Sequence, residues 1–141
     1  MQHVLLATDG SESARRATEV AAKLSKAMGN KLSILTVGED VTEEARQFAH
    51  TEGSVGDALE GLSSQLLHQA KEIAQKAGVA VVDVRSAWGD PAEAIIEIAR
   101  REQVDAIVVG RRGRGRLAGL LLGSVSQKLA GLAPCTVVIV P

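Results

Sequence analysis

The feature that most constrains the fold of this chain is a regular alternation between short apolar runs and longer segments with helical spacing. The short runs are, in chain order, HVLLAT, LSILTV, VAVVDV, DAIVVG and TVVIV. Between them, apolar residues recur at steps of three or four, which places their side chains on one face of an α-helix. The sequence therefore predicts the element order β-α-β-α-β-α-β-α-β.

This order predicts an α/β fold with a doubly wound parallel sheet. Strands that are apolar on both faces are typical of a sheet covered by helices on either side. Crossovers between parallel strands are right-handed, and ligands of such sheets bind at the carboxyl ends of the strands. Asp83 interrupts the third apolar run, which indicates a partly solvated strand at an edge of the sheet.

Local signals predict where several helices start and stop. Gly29 follows the first helical segment and supplies a left-handed stop. Residues 90–93 combine a capping acid, a proline at the first helical position and a glutamate, which predicts the start of the third helix. Ser124 and Gln127 have capping-box spacing, so Ser124 is predicted as the N-cap of the fourth helix, which Pro134 ends.

One segment breaks the alternation. Residues 39–58 are polar and acidic and have no sustained period, so we predict a flexible loop there, either a mobile flap or a disordered segment. The second helix then follows from Leu59 and stops at Gly78. Because the chain has no linker and no internal repeat, residues 1–141 are predicted to form a single domain.

Composition excludes several functional classes. The chain has 141 residues, of which 45% are apolar, and this is enough for one core. A net charge of -1 gives no overall field that would attract nucleic acid or an anionic membrane. The aromatic residues are Phe48 and Trp88, too few to stack nucleic acid bases, and Trp88 is interpreted as a packing residue. We expect no nucleic acid partner.

Nothing in the sequence indicates export or membrane insertion. The N-terminus lacks the basic start and the apolar stretch of a secretory signal, and no apolar run approaches the roughly eighteen residues of a membrane-spanning helix. The single Cys135 excludes an internal disulfide and fits a reducing compartment. We therefore expect a cytoplasmic protein with no membrane partner.

The segment most informative about chemistry is GRRGRGRLAGLLLGS, which directly follows the fourth predicted strand. Glycines let the backbone approach a ligand closely, and the amides at a helix start attract anions, so phosphate is the natural ligand. Arginines add positive charge in the same segment, at Arg111, Arg112, Arg114 and Arg116. The alternative is an ordinary glycine turn with solvated arginines.

Two common phosphate-binding motifs do not account for this segment. A Walker A loop needs a lysine after the last glycine of its G-x-x-x-x-G pattern, and the chain contains no such lysine. Gly113, Gly115 and Ala118 imitate a dinucleotide fingerprint, but only one helix and one strand follow them, with no acidic residue about twenty positions on. P-loop and dinucleotide chemistry are therefore excluded.

A different glycine arrangement does match, in the pattern G-x2-G-x9-G-S formed by Gly110, Gly113, Gly123 and Ser124. It resembles the ATP-binding signature of the universal stress protein family. The likeness covers the whole chain, including TDGS after the first strand, the turn GDP and the terminus APCTVVIVP. It implies a five-stranded sheet of order 3-2-1-4-5 with helices on both faces, Rossmann-like and similar to the adenine nucleotide alpha-hydrolases.

The resemblance also implies that ATP binds, with Mg²⁺, at the carboxyl ends of the first, second and fourth strands. On the base side, Ala7 and Thr8 would lie near the base and ribose. Asp9 would reach the ribose or a phosphate-bound cation, and the main chain of Val37 would meet adenine. The residues implied around the ribose and the phosphates are Val109, Gly110, Arg112, Gly113, Gly123, Ser124 and Val125.

Two of these residues also have a structural interpretation. Asp9 is equally well explained as an ordinary helix-capping acid, since Asp is favoured there whatever the ligand. Ser124 is both a plausible N-cap and a plausible phosphate ligand, and the two roles are compatible because free amides lie at an N-cap.

No catalytic or metal-binding constellation appears in the sequence. His3, His50 and His68 are scattered without metal-ligand spacing. No G-x-S-x-G elbow occurs, and Cys135 has no activating neighbour. We predict no metal ligands and no catalytic residues, and we expect that the protein is not an enzyme, although slow ATP hydrolysis stays open.

The last strand suggests an oligomer. Residues 136–140 are apolar on both faces and are predicted to form an edge strand, which invites pairing with a second copy. Family members similarly dimerise through this strand, so we expect a homodimer. Two functional hypotheses remain: an ATP-binding universal stress protein that acts as a nucleotide-dependent regulator in the stress response, or a nucleotide-free dimeric protein-interaction module.

Overall fold

The computed structural model describes residues 2–38, 54–112 and 122–141. Within these segments the predicted alternation of strands and helices is confirmed. The strands are β1 (His3–Ala7), β2 (Lys31–Gly38), β3 (Val82–Trp88), β4 (Ala106–Gly110) and β5 (Thr136–Val140). The helices are α1 (Glu12–Met28), α2 (Ser54–Lys76), α3 (Pro91–Arg101) and α4 (Ser124–Leu132).

The strands form one parallel sheet in the order β3-β2-β1-β4-β5, so the predicted doubly wound class and strand order are confirmed. β1 and β4 are neighbours although they are far apart in the chain, with Val4 opposite Ala106 and Ala7 opposite Val109. The order of the strands reverses between these two. In open α/β sheets the crevice that binds ligands lies at such a reversal, outside the carboxyl ends of the strands.

Two apolar clusters cover the two faces of the sheet. Leu6 belongs to the cluster under α1 and α2, where it is joined by Ala21. Leu5 belongs to the cluster under α3 and α4, together with Ile95 and Leu129. Consecutive residues of β1 thus point to opposite faces, as the pleat of a strand requires. This explains why the strand is apolar without interruption.

The predicted signals at two helix ends are confirmed. Gly29 adopts a left-handed conformation with φ 67° at the end of α1. Asp90 is the N-cap of α3, and its Oδ2 accepts a hydrogen bond of 3.0 Å from the amide of Glu93, with Pro91 as the first helical residue. α3 therefore begins where its capping sequence predicts.

The third strand lies further along the chain than predicted. The apolar run at 79–84 predicts the strand there, but β3 occupies Val82–Trp88. Val79 belongs instead to the end of α2, where its amide donates to the carbonyl of Ala74 at 3.1 Å and its side chain is buried beside Gly78, which has φ 97°. A buried apolar residue just after a left-handed glycine commonly closes a helix, and this contact competes with strand formation. The predicted edge position of the strand is confirmed.

The second helix starts earlier than the sequence suggests. α2 begins at Ser54, inside the segment 39–58 that is predicted as a loop. In the sequence Val55 precedes Leu59 by four residues, so the apolar period extends one turn towards the N-terminus. Residues 39–53, the remainder of that predicted loop, lie outside the described residues.

Candidate functional site

The candidate site lies where the carboxyl ends of β1, β2 and β4 meet, and we call this region the carboxyl edge. It comprises residues 7–13, 37–38, 109–112 and 123–126, which either end a strand or open a helix. β1 pairs with both β2 and β4, so these strand ends are brought next to one another. α1 and α4 begin at the same edge.

The turn after β1 is held by its own side chains. The amide of Thr8 donates to Leu35 at 2.9 Å, and the Thr8 hydroxyl accepts a hydrogen bond of 3.3 Å from Gly10. Asp9 Oδ1 accepts a hydrogen bond of 2.9 Å from the amide of Ser11. Ser11, not Asp9, is the N-cap of α1, since its hydroxyl accepts from Ala14 at 3.2 Å. The interpretation of Asp9 as the helix cap is therefore wrong.

At the end of β4 the backbone lies directly against the start of α1. A Cβ atom at Gly110 would overlap Ser13 Oγ and would come within 2.8 Å of both the Ser13 carbonyl carbon and the Ala14 nitrogen. The last two atoms belong to the main chain and cannot move away cheaply. Only glycine fits here, so the first glycine of the G-x2-G-x9-G-S pattern has a packing reason that is independent of any ligand.

The carbonyl groups of the last residue of β4 and of the two residues after it lie within hydrogen-bond distance of serine hydroxyls from two helices. Ser126 Oγ donates a hydrogen bond of 2.6 Å to the carbonyl oxygen of Arg111, and it lies 3.2 Å from the carbonyl oxygen of Gly110. Ser13 Oγ donates to the carbonyl oxygen of Arg112 at 2.5 Å. Both serines are buried. Sequence reasoning missed them, because their partners lie on distant segments and nothing local in the sequence distinguishes these serines from other helix-start serines.

α4 begins one residue earlier than its capping sequence suggests. Its N-cap is Gly123, with φ -74° and ψ 170°, and Gln127 donates its amide to the Gly123 carbonyl at 3.0 Å. The predicted N-cap role of Ser124 is therefore wrong, and Ser124 is the exposed first residue of the helix. The amide of Gly123 donates a hydrogen bond of 2.9 Å to the carbonyl oxygen of Arg111. This bond sets the position of the start of α4 relative to β4.

The end of β2 extends past the end of β1. Ala7 is opposite Leu35, so Val37 lies beyond the last paired residue of β1. In a parallel strand, the main-chain N–H and C=O groups of successive residues point alternately to the two neighbouring strands. The carbonyl of Leu35 accepts a hydrogen bond from Thr8, on the β1 side. Val37 is two residues further along, so its N–H and C=O also point to the β1 side. Trp88 packs its ring against Gly38, where a Cβ would approach it to 2.5 Å. The interpretation of Trp88 as a packing residue agrees with this contact, although the residue is 45% exposed.

Several charged side chains of the described residues lie near this edge. Arg111 and Arg112 are partly buried, and the amide of Arg111 donates to Val140 at 2.6 Å. Lys128 forms an ion pair of 3.5 Å with Asp90, between α4 and the cap of α3. No group of three or more His, Cys, Asp or Glu side chains in the described part of the chain could hold a metal ion.

The structure brings most of the predicted site residues to one place. Those that lie at the junction of β1 and β4, or at the adjoining start of α4, are Ala7, Thr8, Asp9, Val109, Gly110, Arg112, Gly123, Ser124 and Val125. Val37 lies on the neighbouring strand. Gly113 falls outside the described residues.

Among the described helices, none is both long and apolar enough to cross a membrane.

Comparison with known proteins settles the family. The profile of the Universal stress protein family matches residues 1–141. This chain belongs to the universal stress protein family. A relative from Thermus aquaticus, named "Universal stress protein in QAH/OAS sulfhydrylase 3'region", is 36% identical over 141 residues, which cover 97% of this chain and 96% of the relative. The family predicted from the glycine pattern and the chain termini is confirmed.

Solved structures agree with this assignment. Universal stress protein UspA from Lactobacillus plantarum superposes with a TM-score of 0.89 over 99% of this chain and 97% of that chain. Its sequence is 20% identical to this chain, so this likeness supports the fold alone. A universal stress protein solved in complex with cAMP is 30% identical, with a TM-score of 0.76 over 99% of this chain and 97% of that one. The family likeness thus extends over nearly the whole chain.

Proposed function

We propose that this universal stress protein binds ATP with Mg²⁺ at the carboxyl edge and acts in the cytoplasm as a nucleotide-dependent regulator of the stress response, without being an enzyme. The observation that carries the proposal is the hydrogen bond that joins the start of α4 to the residue after β4. Gly123 donates its amide to Arg111 at 2.9 Å, directly after Gly110 ends β4. Gly110 and Gly123, which are separated in sequence, therefore both lie at the carboxyl end of β4, on the edge of the sheet where ligands of such folds bind.

The phosphates of ATP are proposed to bind at the start of α4. Gly123 has no side chain with which to cap the helix, and the first-turn amides of a helix carry partial positive charge. Gly123, Ser124 and Val125 would offer amides and a hydroxyl to the phosphates, with Arg112 and Gly113 along their path. A phosphate at a helix N-terminus is a common and favourable arrangement.

The nucleoside is proposed to lie across the ends of β1 and β2. Ala7 and Thr8 would border the base and ribose, and Val109 and Gly110 would flank the ribose from β4. The main chain of Val37 points to the β1 side beyond the end of β1, as a contact with adenine requires. Asp9 would reach the ribose or the Mg²⁺ ion. The relative solved with cAMP supports an adenine nucleotide as the ligand class.

Calorimetric titration with ATP and Mg²⁺ tests this proposal. We expect the wild-type protein to bind ATP and the Gly123→Val variant to lose binding, because a side chain would occupy the approach of the phosphates. The backbone of Gly123 has a negative φ that other residues adopt, so circular dichroism should show a folded variant. Gly131→Val is the matched control, because a Cβ at this position of α4 would have no neighbouring atom within 4 Å.

Unchanged ATP affinity in a folded Gly123→Val protein would refute the site. A dimeric interaction module that needs no nucleotide is the second candidate, and the position of β5 favours it. β5 is an edge strand, and Val137, Val138 and Ile139 are only partly buried. Failure to bind ATP together with a dimer in light scattering would support this alternative, whereas a monomer would contradict it.

A further inference from the structure

We propose that Ser13 and Ser126 are positioning residues for the phosphate end of the nucleotide site. Their hydroxyls hold the carbonyl groups of Arg111 and Arg112 and so set the direction of the backbone that passes the phosphates. This inference rests on the proposed function, and it assigns a role to two serines that lie outside the glycine pattern.

The geometry places one serine on each side of the segment. Ser126 belongs to the first turn of α4 and donates to Arg111 at 2.6 Å, while the carbonyl of Gly110 lies 3.2 Å away. Ser13 belongs to the first turn of α1 and donates to Arg112 at 2.5 Å. Ser126 is 2% exposed and Ser13 is 8% exposed. Three consecutive carbonyls are therefore directed to buried hydroxyls that belong to two different helices.

The direction of these carbonyls matters for an anion. A carbonyl oxygen carries partial negative charge and repels phosphate, whereas a backbone N–H attracts it. Because the peptide group is planar and trans, fixing the direction of one carbonyl also fixes the amide that follows it, on the opposite side. Hydroxyls that keep the carbonyl oxygens turned into the protein thereby keep them away from the phosphates.

The same contact explains the first glycine of the pattern. A Cβ at Gly110 would overlap Ser13 Oγ, so the missing side chain makes room for the serine that holds the carbonyl of Arg112. The Ser13 hydroxyl can occupy this position because residue 110 has no side chain, although main-chain atoms of Ser13 and Ala14 also exclude a Cβ there. Ser126 supplies the equivalent contact from α4, beside the amide of Gly123 that also donates to Arg111.

A comparison of two ligands separates positioning from general stability. Adenosine shares the base and ribose of ATP but has no phosphate. A substitution that disturbs only the phosphate end of the site should therefore leave the affinity for adenosine unchanged. We expect Ser126→Ala to lower the affinity for ATP with Mg²⁺ about tenfold, measured by calorimetry. The affinity for adenosine, measured by ligand-observed NMR, should change less than about twofold. Ser13→Ala should behave alike and serves as the second variant if Ser126→Ala does not fold.

Ser25→Ala is the matched control, since Ser25 is a buried serine at the opposite end of α1. It should alter neither affinity. Equal losses for ATP and adenosine, or no loss for ATP in either folded variant, would overturn the positioning role while leaving the nucleotide site in place. A wild-type protein that binds neither ligand would overturn the proposed function itself, and this inference with it.

Discussion

The two edges of the sheet differ in the contacts that their partly buried polar side chains make. At the amino edge, where the strands start, charged side chains pair with one another: Lys31 lies 3.0 Å from Asp83, and Arg85 joins Asp83 at 3.3 Å and also pairs with Glu102. At the carboxyl edge, the hydroxyls of small residues bond to main-chain groups, as Ser126 does with Arg111. Charge pairing thus predominates at the amino edge and hydroxyl-to-backbone bonds at the carboxyl edge, where the ion pair of Lys128 with Asp90 joins more exposed side chains.

The pKa values at the amino edge agree with this division. Burial and the charge of Lys31 lower the pKa of His3, whose Nε2 lies 2.7 Å from Ser33 Oγ. Burial by itself would raise the pKa of Asp83, but hydrogen bonds from Lys31 and Ser33 and the charges of Lys31 and Arg85 outweigh it and leave the pKa below its usual value. The charged groups at the amino edge thus interact mainly with one another, which favours a structural role for them.

The largest expected effect comes from Gly110, where the carboxyl edge has no room for a side chain. Gly110→Ala should lower the free energy of unfolding by about 1–3 kcal/mol, because the new methyl group pushes α1 away from β4. ATP affinity should fall with it. Urea denaturation measures the first effect and calorimetry the second. Gly131→Ala, in open space on α4, should be unchanged or more stable by up to about 1 kcal/mol. Equal stability of the two variants would contradict the packing argument.

A smaller and more selective effect is expected at Asp9. Asp9→Asn keeps an oxygen that accepts from the amide of Ser11 but removes the negative charge. If Asp9 faces a phosphate-bound Mg²⁺, the affinity for ATP with Mg²⁺ should drop about tenfold, while the free energy of unfolding should stay within about 0.5 kcal/mol of wild type. Titrations with and without Mg²⁺ test this. An identical loss in both would show that the charge does not act through the cation.

The smallest effect concerns Asp105 at the amino edge. Hydrogen bonds from the amides of Gln2 and His3, at 2.6 and 2.8 Å, hold the pKa of this carboxyl group below its usual value. A carboxyl group whose pKa is lower in the folded state than in the unfolded state stabilises the fold while it is ionised. This contribution is fully present above the unfolded-state pKa, and it is lost as the pH falls through the folded-state pKa. The difference in free energy of unfolding between wild type and Asp105→Asn should therefore be greatest at neutral pH and shrink below about pH 4.

Urea denaturation of both proteins across this pH range measures the effect of Asp105. A constant difference at all pH values would show that the carboxylate charge does not contribute. ATP affinity at neutral pH should be the same in both proteins, since Asp105 is separated from the carboxyl edge by the length of β4. A loss of ATP binding in Asp105→Asn would contradict the assignment of nucleotide binding to the carboxyl edge and of structural contacts to the amino edge.

Much of the site was predictable because its residues follow strands that the sequence marks clearly. β1 and β4 are continuous apolar runs, and the residues after them reach the same edge in any parallel sheet of this order. Gly110 and Gly123 could be singled out from their spacing in the family pattern. The local sequence was less informative at helix starts, where Ser124 and Gln127 have capping-box spacing although Gly123 is the cap.

The sequence by itself determined the alternation of elements, the parallel sheet, the family and most residues of the candidate site, because apolar periodicity and glycine spacing are local properties of the chain. Only the tertiary structure decided that Ser13 and Ser126 hold the carbonyls after β4, that Ser11 caps α1 in place of Asp9, and that Val79 closes α2 in place of starting β3. The serine–carbonyl contacts join segments far apart in sequence, so only packing between those segments could decide them. The Ser11 cap and the Val79 contact are local, and there two neighbouring groups compete for one hydrogen-bond partner in a way that the sequence pattern does not resolve.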